Sequence, residues 1–422
     1  MKRREIRADA ARMLFAAAVV ALGVGCASQG PQQGKSVQVI QATDEIPEEH
    51  LFDVGIEVLD PGLPPEGEPM PEGVFPELRK AEARYMAIQL KNTMEGTGQW
   101  GAVRVLPRDH GITDLKVTGR ILQSTGSKVV LDIRAVDATG REWLEDRYRG
   151  EADGLLYMST GTVTTDPFQS LYNEISNDIL EAKRKLKASH LSTVRQASRM
   201  RFAAELAPVP FEEYLATNKK GLTTVERLPA RDDPMLQRVD NIRASENLFI
   251  DTLDQYYTAF YDKMAAPYGS WRKYTYEEEQ AYKALRRKAL TQKILGGLAI
   301  LGAVLADPGS QAAAVVRDAA MIGGIAAIQA GIATSKEAKI HAEALKELAA
   351  SVETELQPIV IEVEGQTLRL EGSAETQYVE WKRLLREIWT TETGFPQDPN
   401  EPVEATSEAT GSGPNRQPQD NL

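Results

Sequence analysis

Cysteine and histidine are scarce in this sequence of 422 residues, which contains one cysteine, Cys26, and four histidines. A single thiol excludes a disulfide framework within the chain, so packing alone must stabilise the fold. No second histidine or cysteine lies near any of the four in sequence, and a zinc or other transition-metal site is therefore disfavoured. We expect neither a metal nor another cofactor. The histidines are His50, His110, His190 and His341.

Sequence motifs of common catalytic sites are also missing. There is no Gly-x-Ser-x-Gly elbow, no phosphate-binding loop and no His-Glu-x-x-His helix. The adjacent acid and imidazole at Asp109-His110 follow Pro107 after a predicted strand, which is typical of a solvated loop. We therefore predict no catalytic residues and a protein that is not an enzyme. The alternative, two glycosidase-type carboxylates among the 61 acidic residues, stays open.

Basic residues are outnumbered beyond the first 25 positions. The chain has 49 Lys and Arg against 61 Asp and Glu, a formal net charge of −12. Residues 1–25 carry five basic and two acidic side chains, which leaves −15 for the rest. Nucleic-acid binding requires a basic surface, so we expect no nucleic-acid partner. The same charge disfavours broad adhesion of the folded part to anionic lipid.

The clearest pattern that is present lies at the N-terminus. Five basic residues precede an apolar run from Met13 to Val24, which has about half the roughly 20 residues that a membrane-spanning helix needs. The run closes in Leu22-Gly23-Val24-Gly25-Cys26, which resembles the lipobox of bacterial lipoproteins, with Gly23 at the position where that pattern usually has leucine. The basic residues are Lys2, Arg3, Arg4, Arg7 and Arg12.

This resemblance implies that residues 1–25 are a lipoprotein signal peptide and that Cys26 is the lipid attachment site. No Asp follows Cys26 directly, which resembles the sorting pattern of outer-membrane lipoproteins and implies a protein anchored there and facing the periplasm. Residues 26–47 are mostly polar, as is typical of a flexible tether. The alternative is an ordinary secretory signal in which the cysteine is incidental.

Hydrophobic periodicity over residues 48–190 predicts an α+β domain. Residues 51–59 alternate as in a strand, and apolar side chains at helical spacing follow to about Met94. Further strands, up to residue 149, are separated by turns such as Asp137-Ala138-Thr139-Gly140. Asp166-Pro167 is then typical of the start of a helix. The predicted order is β-α-β-β-β-β-α, with helices packed against an antiparallel sheet.

This order of elements and turns resembles the periplasmic domain shared by several envelope proteins. They include the curli-secretion lipoprotein, the penicillin-binding-protein activators and the N-terminal domain of the Tol translocation protein. The resemblance is confined to residues 48–190 and implies a supporting, protein-binding role in an envelope machine. The stretches that carry it are Phe52–Leu59, Leu90–Met94, Trp100–Val105, Asp114–Ile121 and Asp132–Gly140.

Residues 191–290 are predicted to form a helical domain. Apolar residues from Phe249 to Met264 share one helical face. Pro267-Tyr268-Gly269-Ser270 predicts a turn, and Thr275 with Glu278 predicts a capping box that starts another helix. The aromatic residues of this region are interpreted as core. A groove for glycan strands or for a partner protein is the alternative.

Residues 291–335 are apolar and rich in Gly and Ala. Two arms, 294–306 and 319–333, flank Asp307-Pro308-Gly309-Ser310 and predict a helical hairpin. Small residues recur every four positions, a spacing that lets two helices approach closely. We expect oligomerisation or membrane contact, although each arm is shorter than a full span; burial within the protein's own core is the alternative. The small residues are Gly302, Ala319, Gly323, Ala327 and Gly331.

The C-terminal part is predicted as a helix, a β-hairpin and a second helix over residues 336–393, followed by a disordered tail at 394–422. The stretch from Val363 to Ser373 and the helix after it resemble a fragment of a BON domain, a small envelope module.

Together these patterns predict a lipid-anchored envelope protein that acts as a non-enzymatic assembly or interaction component. Its expected partners are the membrane, through the lipid, and either another protein or further copies of itself. One alternative is an oligomeric pore-forming or membrane-remodelling protein that uses the Gly/Ala-rich hairpin. The other is a peptidoglycan binder or hydrolase.

Overall fold

A computed structural model describes residues 36–65, 67–70, 74–108, 111–158, 165–230, 232–306, 359–363, 366–370 and 372–395. Three sequence predictions lie outside these residues: the signal peptide with Cys26, the second arm of the Gly/Ala-rich hairpin, and the helix expected from Lys336. Almost all of the predicted tail lies outside them as well.

A mixed five-stranded sheet forms the centre of the N-terminal part. Its order is β2-β1-β3-β4-β5. Strand β1 runs parallel to both of its neighbours, whereas β3, β4 and β5 form an antiparallel meander. The prediction of an antiparallel sheet is therefore wrong for β1 and its two pairings. Parallel neighbours need a crossover connection, and the first helix supplies it between β1 and β2. The strands are β1 Val54–Glu57, β2 Val103–Leu106, β3 Leu115–Ser124, β4 Lys128–Asp137 and β5 Glu142–Glu151.

Helices cover one face of this sheet. Helix α1, Pro76–Glu95, begins with proline in its first turn, where the missing N–H costs nothing. A short helix α2, Gly154–Met158, leads to α3, Gln169–Arg184, which packs against α1 and β5. The other face carries exposed charged pairs such as Arg147 Nε to Asp132 Oδ1 at 2.7 Å. This division is typical of an antiparallel sheet with one solvated face.

The second part of the described chain is mainly helical. Helices α4, Ala188–Leu206, and α5, Pro208–Phe211, precede a small hairpin of β6, Leu215–Thr217, and β7, Thr223–Val225. Helix α6 then runs from Pro234 to Ala306. Short 3₁₀ turns at Glu48–His50 and Glu212–Tyr214 complete the main body. The β6–β7 hairpin is an addition to the predicted helical domain, which the sequence placed at 191–290.

The predicted turn at 267–270 and the new helix start at Thr275 are wrong, because α6 continues through both. Met264, Tyr268 and Trp271 are buried on one helical face. Burying each large apolar side chain contributes about 1.5–3 kcal/mol, which together exceeds the roughly 3 kcal/mol cost of an interior proline. The Thr275 hydroxyl donates to the Trp271 carbonyl oxygen at 3.0 Å instead of capping a new helix.

The C-terminal elements return to this body. A hairpin of β8, Ile359–Val363, and β9, Gln366–Leu370, precedes α7, Ala374–Thr393. Ser373 caps α7 by accepting the Thr376 N–H at 3.2 Å. Trp381 of α7 stacks on Phe249 of α6 at a ring separation of 5.3 Å. Helix α7 and the N-terminal part therefore belong to one hydrophobic core.

The predicted fold class is confirmed at a coarse level: an α+β N-terminal part is followed by a mainly helical part. The described residues include one mixed five-stranded sheet and seven α-helices. Among those residues, we find no helix with the length and apolar character that crossing a membrane would require.

Candidate functional site

The structure describes only one of the site residues predicted from sequence. Gly302 lies near the end of α6, four residues before its last position, Ala306. Cys26, Ala319, Gly323, Ala327 and Gly331 lie outside the described residues, as do Asp109 and His110. The proposed lipid attachment and the helix-packing stripe therefore stay predictions. The described residues nevertheless show two features that bear on function: the attachment of α6 and a basic pocket.

At its first attachment point, helix α6 packs against β2, a strand at the edge of the sheet. We name Lys91, Arg104, Asp251 and Asp254 the edge cluster. Asp254 accepts the backbone N–H of Val105 at 3.1 Å and the Lys91 ammonium at 2.6 Å. Asp251 accepts from Arg104 Nε at 2.5 Å. An edge strand exposes unpaired backbone donors that invite aggregation, and here Asp254 of α6 pairs with one of them, the Val105 N–H.

The second attachment point is a buried polar cluster, which we name the inner cluster: Glu82, Tyr85, Asp166, Tyr268 and Arg272. Arg272 of α6 forms two hydrogen bonds to Asp166, at 3.2 and 2.8 Å. Both side chains are almost fully buried, 4% and 2% exposed. The guanidinium also lies 4.3 Å from the Tyr268 ring centre, so the buried charge is stabilised by a carboxylate and an aromatic face.

Glu82 of α1 completes the inner cluster. Its Oε1 accepts from the Ser124 hydroxyl at 2.8 Å and from the Tyr268 hydroxyl at 2.9 Å. Arg79 Nε lies 3.0 Å from Oε2. Burial raises the pKa of Glu82 above its ordinary range, and Arg79 opposes this shift. The cluster therefore ties α6 to α1 and to the end of β3 through buried hydrogen bonds.

The second feature is an open pocket of 460 Å³ at the N-terminal end of α4. Its charged lining is basic, with Arg141, Lys185 and Lys187, and contains no carboxylate side chain. Basic residues are favoured here for a local reason, because the last turn of α3 attracts positive charge through the helix dipole. The remaining lining residues are Leu186, Ser189, His190 and Thr193.

His190 is held at this pocket by a buried carboxylate. Its Nε2 lies 2.9 Å from Asp137 Oδ2, which also accepts the Trp143 indole N–H at 2.7 Å. Since a carboxylate accepts only, Nε2 must carry the proton. The other oxygen of Asp137 accepts the Thr139 N–H at 2.8 Å in the turn between β4 and β5. Gly140 has φ +82° in that turn, a conformation that favours glycine.

The sequence reasoning missed this pair. It placed Asp137 in a turn and treated His190 as an isolated histidine, because 53 positions separate them. No local motif could have joined them, since only the fold brings α4 to the end of β4. Within the part of the chain that the structure describes, no group of three His, Cys, Asp or Glu is arranged to hold a metal ion.

No protein-family model, no curated protein and no solved structure matches this chain. A functional conclusion therefore depends on the sequence patterns and on the geometry of α6 and the basic pocket.

Proposed function

We propose that this protein is a lipid-anchored component of a bacterial outer membrane that faces the periplasm and acts by assembly rather than by catalysis. The N-terminal pattern that ends at Cys26 supports the lipid anchor. The resemblance of residues 48–190 to a domain of envelope lipoproteins supports a protein-binding role for the α+β part. The C-terminal likeness to a BON fragment points to the same compartment.

The observation that carries this proposal is the continuity of α6. One helix is fixed to the α+β part by the edge and inner clusters and extends to Ala306. Residues 294–306, its last segment, contain no charged side chain until the helix ends. From Glu277 to Ala306 a helix spans about 45 Å at 1.5 Å per residue. The apolar segment is thereby coupled to the folded body by a stiff element.

Self-association is the role we assign to the Gly/Ala-rich segment. Gly302 and the small residues at Ala319, Gly323, Ala327 and Gly331 recur at a spacing that permits close helix contact. Each apolar arm is shorter than a membrane span, which favours packing between copies over insertion. The assembled protein would then present several α+β parts at the membrane surface.

Lipid attachment is tested by expressing the full chain in a Gram-negative host with radiolabelled palmitate, followed by membrane fractionation. We expect the wild-type chain to carry label and to enter the outer-membrane fraction, and Cys26→Ala to lose both. Gly23→Leu, which restores the usual lipobox residue, should be processed at least as fast as the wild type. A wild-type chain that is exported without label would overturn the anchor.

A further inference from the structure

The basic pocket at the start of α4 is unusual for a protein with a net charge of −12. Three exposed basic side chains line one cavity, and no carboxylate lines it. Among the described residues, no acidic side chain forms an ion pair with Arg141, Lys185 or Lys187. Like charges repel, so an anion bound in the pocket would stabilise these basic side chains beside one another.

Two further features of the pocket favour an anion. The first turn of α4, a helix of 19 residues, borders it, and the N-cap Lys187 provides no side-chain cap to the backbone N–H groups there. Those N–H groups and the helix dipole attract negative charge. The Asp137 carboxylate, which His190 Nε2 contacts at 2.9 Å, is buried and accepts the Thr139 N–H and the Trp143 indole N–H. These donors partly offset its negative charge.

We propose that this pocket binds a phosphate group, with Arg141 and Lys187 as its main cationic ligands and the Ser189 hydroxyl as a further hydrogen-bond donor. A planar carboxylate offers two oxygen atoms, whereas a phosphate group offers three or four and can use donors from several directions. The phosphate group belongs either to free phosphate or to a phospholipid headgroup. The site is independent of the proposed lipid anchor at Cys26.

Isothermal titration calorimetry on the full chain, in a nonionic detergent at low ionic strength, tests this site with two separate probes. Inorganic phosphate represents the free ion, and glycerol 3-phosphate represents a headgroup. The double variant Arg141→Gln/Lys187→Gln should bind about ten-fold more weakly or worse, because two charge-assisted contacts are lost. Tighter binding of the ester than of phosphate identifies a headgroup as the occupant, and the reverse order identifies free phosphate.

The matched control removes the same total charge elsewhere. Lys263→Gln/Lys273→Gln alters two exposed lysines of α6 and should leave the affinity unchanged. The substituted side chains are on the surface, so circular dichroism should show all variants folded. No saturable binding of either probe to the wild type would overturn the proposal. Equal losses of affinity in both double variants would also overturn it, since binding would then follow net charge and not the pocket.

Discussion

At the scale of single residues, Asp166 is the position on which the attachment of α6 depends most. It accepts two hydrogen bonds from the buried guanidinium of Arg272 and one from the Tyr85 hydroxyl. We predict that Asp166→Asn lowers the free energy of unfolding by about 3–5 kcal/mol, because it leaves a buried charge without its counter-ion. Urea denaturation followed by circular dichroism measures this change.

An exposed ion pair in the same fold is the control for that prediction. Arg199 of α4 and Asp240 of α6 are 45% and 38% exposed. Asp240→Asn should lower the free energy of unfolding by about 0–1 kcal/mol, since solvent screens such a pair. If Asp166→Asn cost no more than Asp240→Asn, the inner cluster would not hold α6 in place.

Lys183 gives a prediction for pH. Its ammonium donates to the Gln99 carbonyl oxygen at 2.9 Å and lies 4.6 Å from the Trp100 ring centre. Burial lowers the pKa of Lys183 from 10.5 to about 8. Between these two pH values the unfolded chain binds a proton that the folded chain has released, so stability rises with pH. Wild type should therefore gain stability relative to Lys183→Met from pH 8 to 10.5.

Chemical denaturation at a series of pH values measures the difference between wild type and Lys183→Met. The exposed Lys273→Met is the control, and its difference from wild type should stay constant over the same pH range. A difference for Lys183→Met that is equally constant would show that the buried ammonium keeps its ordinary pKa.

Asp166 also shows what sequence reasoning at this scale can and cannot give. The Asp166-Pro167 pair predicted a local capping role, and the Asp166 carboxylate does accept the Phe168 N–H at 2.8 Å. Its pairing with Arg272 spans 106 positions. That pairing follows from how α6 crosses α1 and α3, which no local spacing encodes. The Asp137–His190 pair was missed for the same physical reason.

At the scale of elements, α6 covers the open edge of strand β2, where Asp254 accepts the backbone N–H of Val105. Asp254→Ala would leave the Val105 N–H and the Lys91 ammonium without their acceptor, although Lys91 keeps Glu95 at 3.6 Å. We predict a loss of about 1–3 kcal/mol, the cost of an unsatisfied buried donor. Hydrogen exchange of the Val105 amide should also become faster.

Asp251→Ala, one helical turn earlier, is the control for Asp254→Ala. Asp251 bonds only the side chain of Arg104 and is partly exposed, so its removal should cost about 0–1 kcal/mol and leave Val105 exchange unchanged. Unchanged Val105 exchange in Asp254→Ala as well would show that α6 does not protect the strand edge.

Sequence periodicity identified the elements that bury one face and expose the other. Residues of β4 such as Leu131 and Ile133 are buried while Asp132 between them is not, and this alternation is visible in the sequence. Continuation of α6 past Pro267 was not predictable, because it depends on the surface that Tyr268 meets in α1. The strands β6 and β7 have three residues each, too few for a periodic pattern.

At the scale of the whole molecule, one helix, α6, joins three parts. The α+β part and α7 share a core with the first half of α6, and the second half of α6 leads to the Gly/Ala-rich segment. Such a chain would position its α+β parts relative to one another when it assembles. We therefore propose self-association as the main role of the helix, and this proposal is independent of the proposed lipid anchor at Cys26.

Light scattering on the chain from residue 26 onward, with Cys26→Ser and without detergent, tests that claim most directly. We predict one discrete oligomer for this chain and a monomer for Gly323→Leu/Gly331→Leu, because leucine at these positions would prevent close helix contact. Gly269→Leu is the control, since a Cβ atom there has no other atom within 4 Å and the oligomer should persist. A monomeric parent chain, or an oligomer that survives Gly323→Leu/Gly331→Leu, would contradict the account.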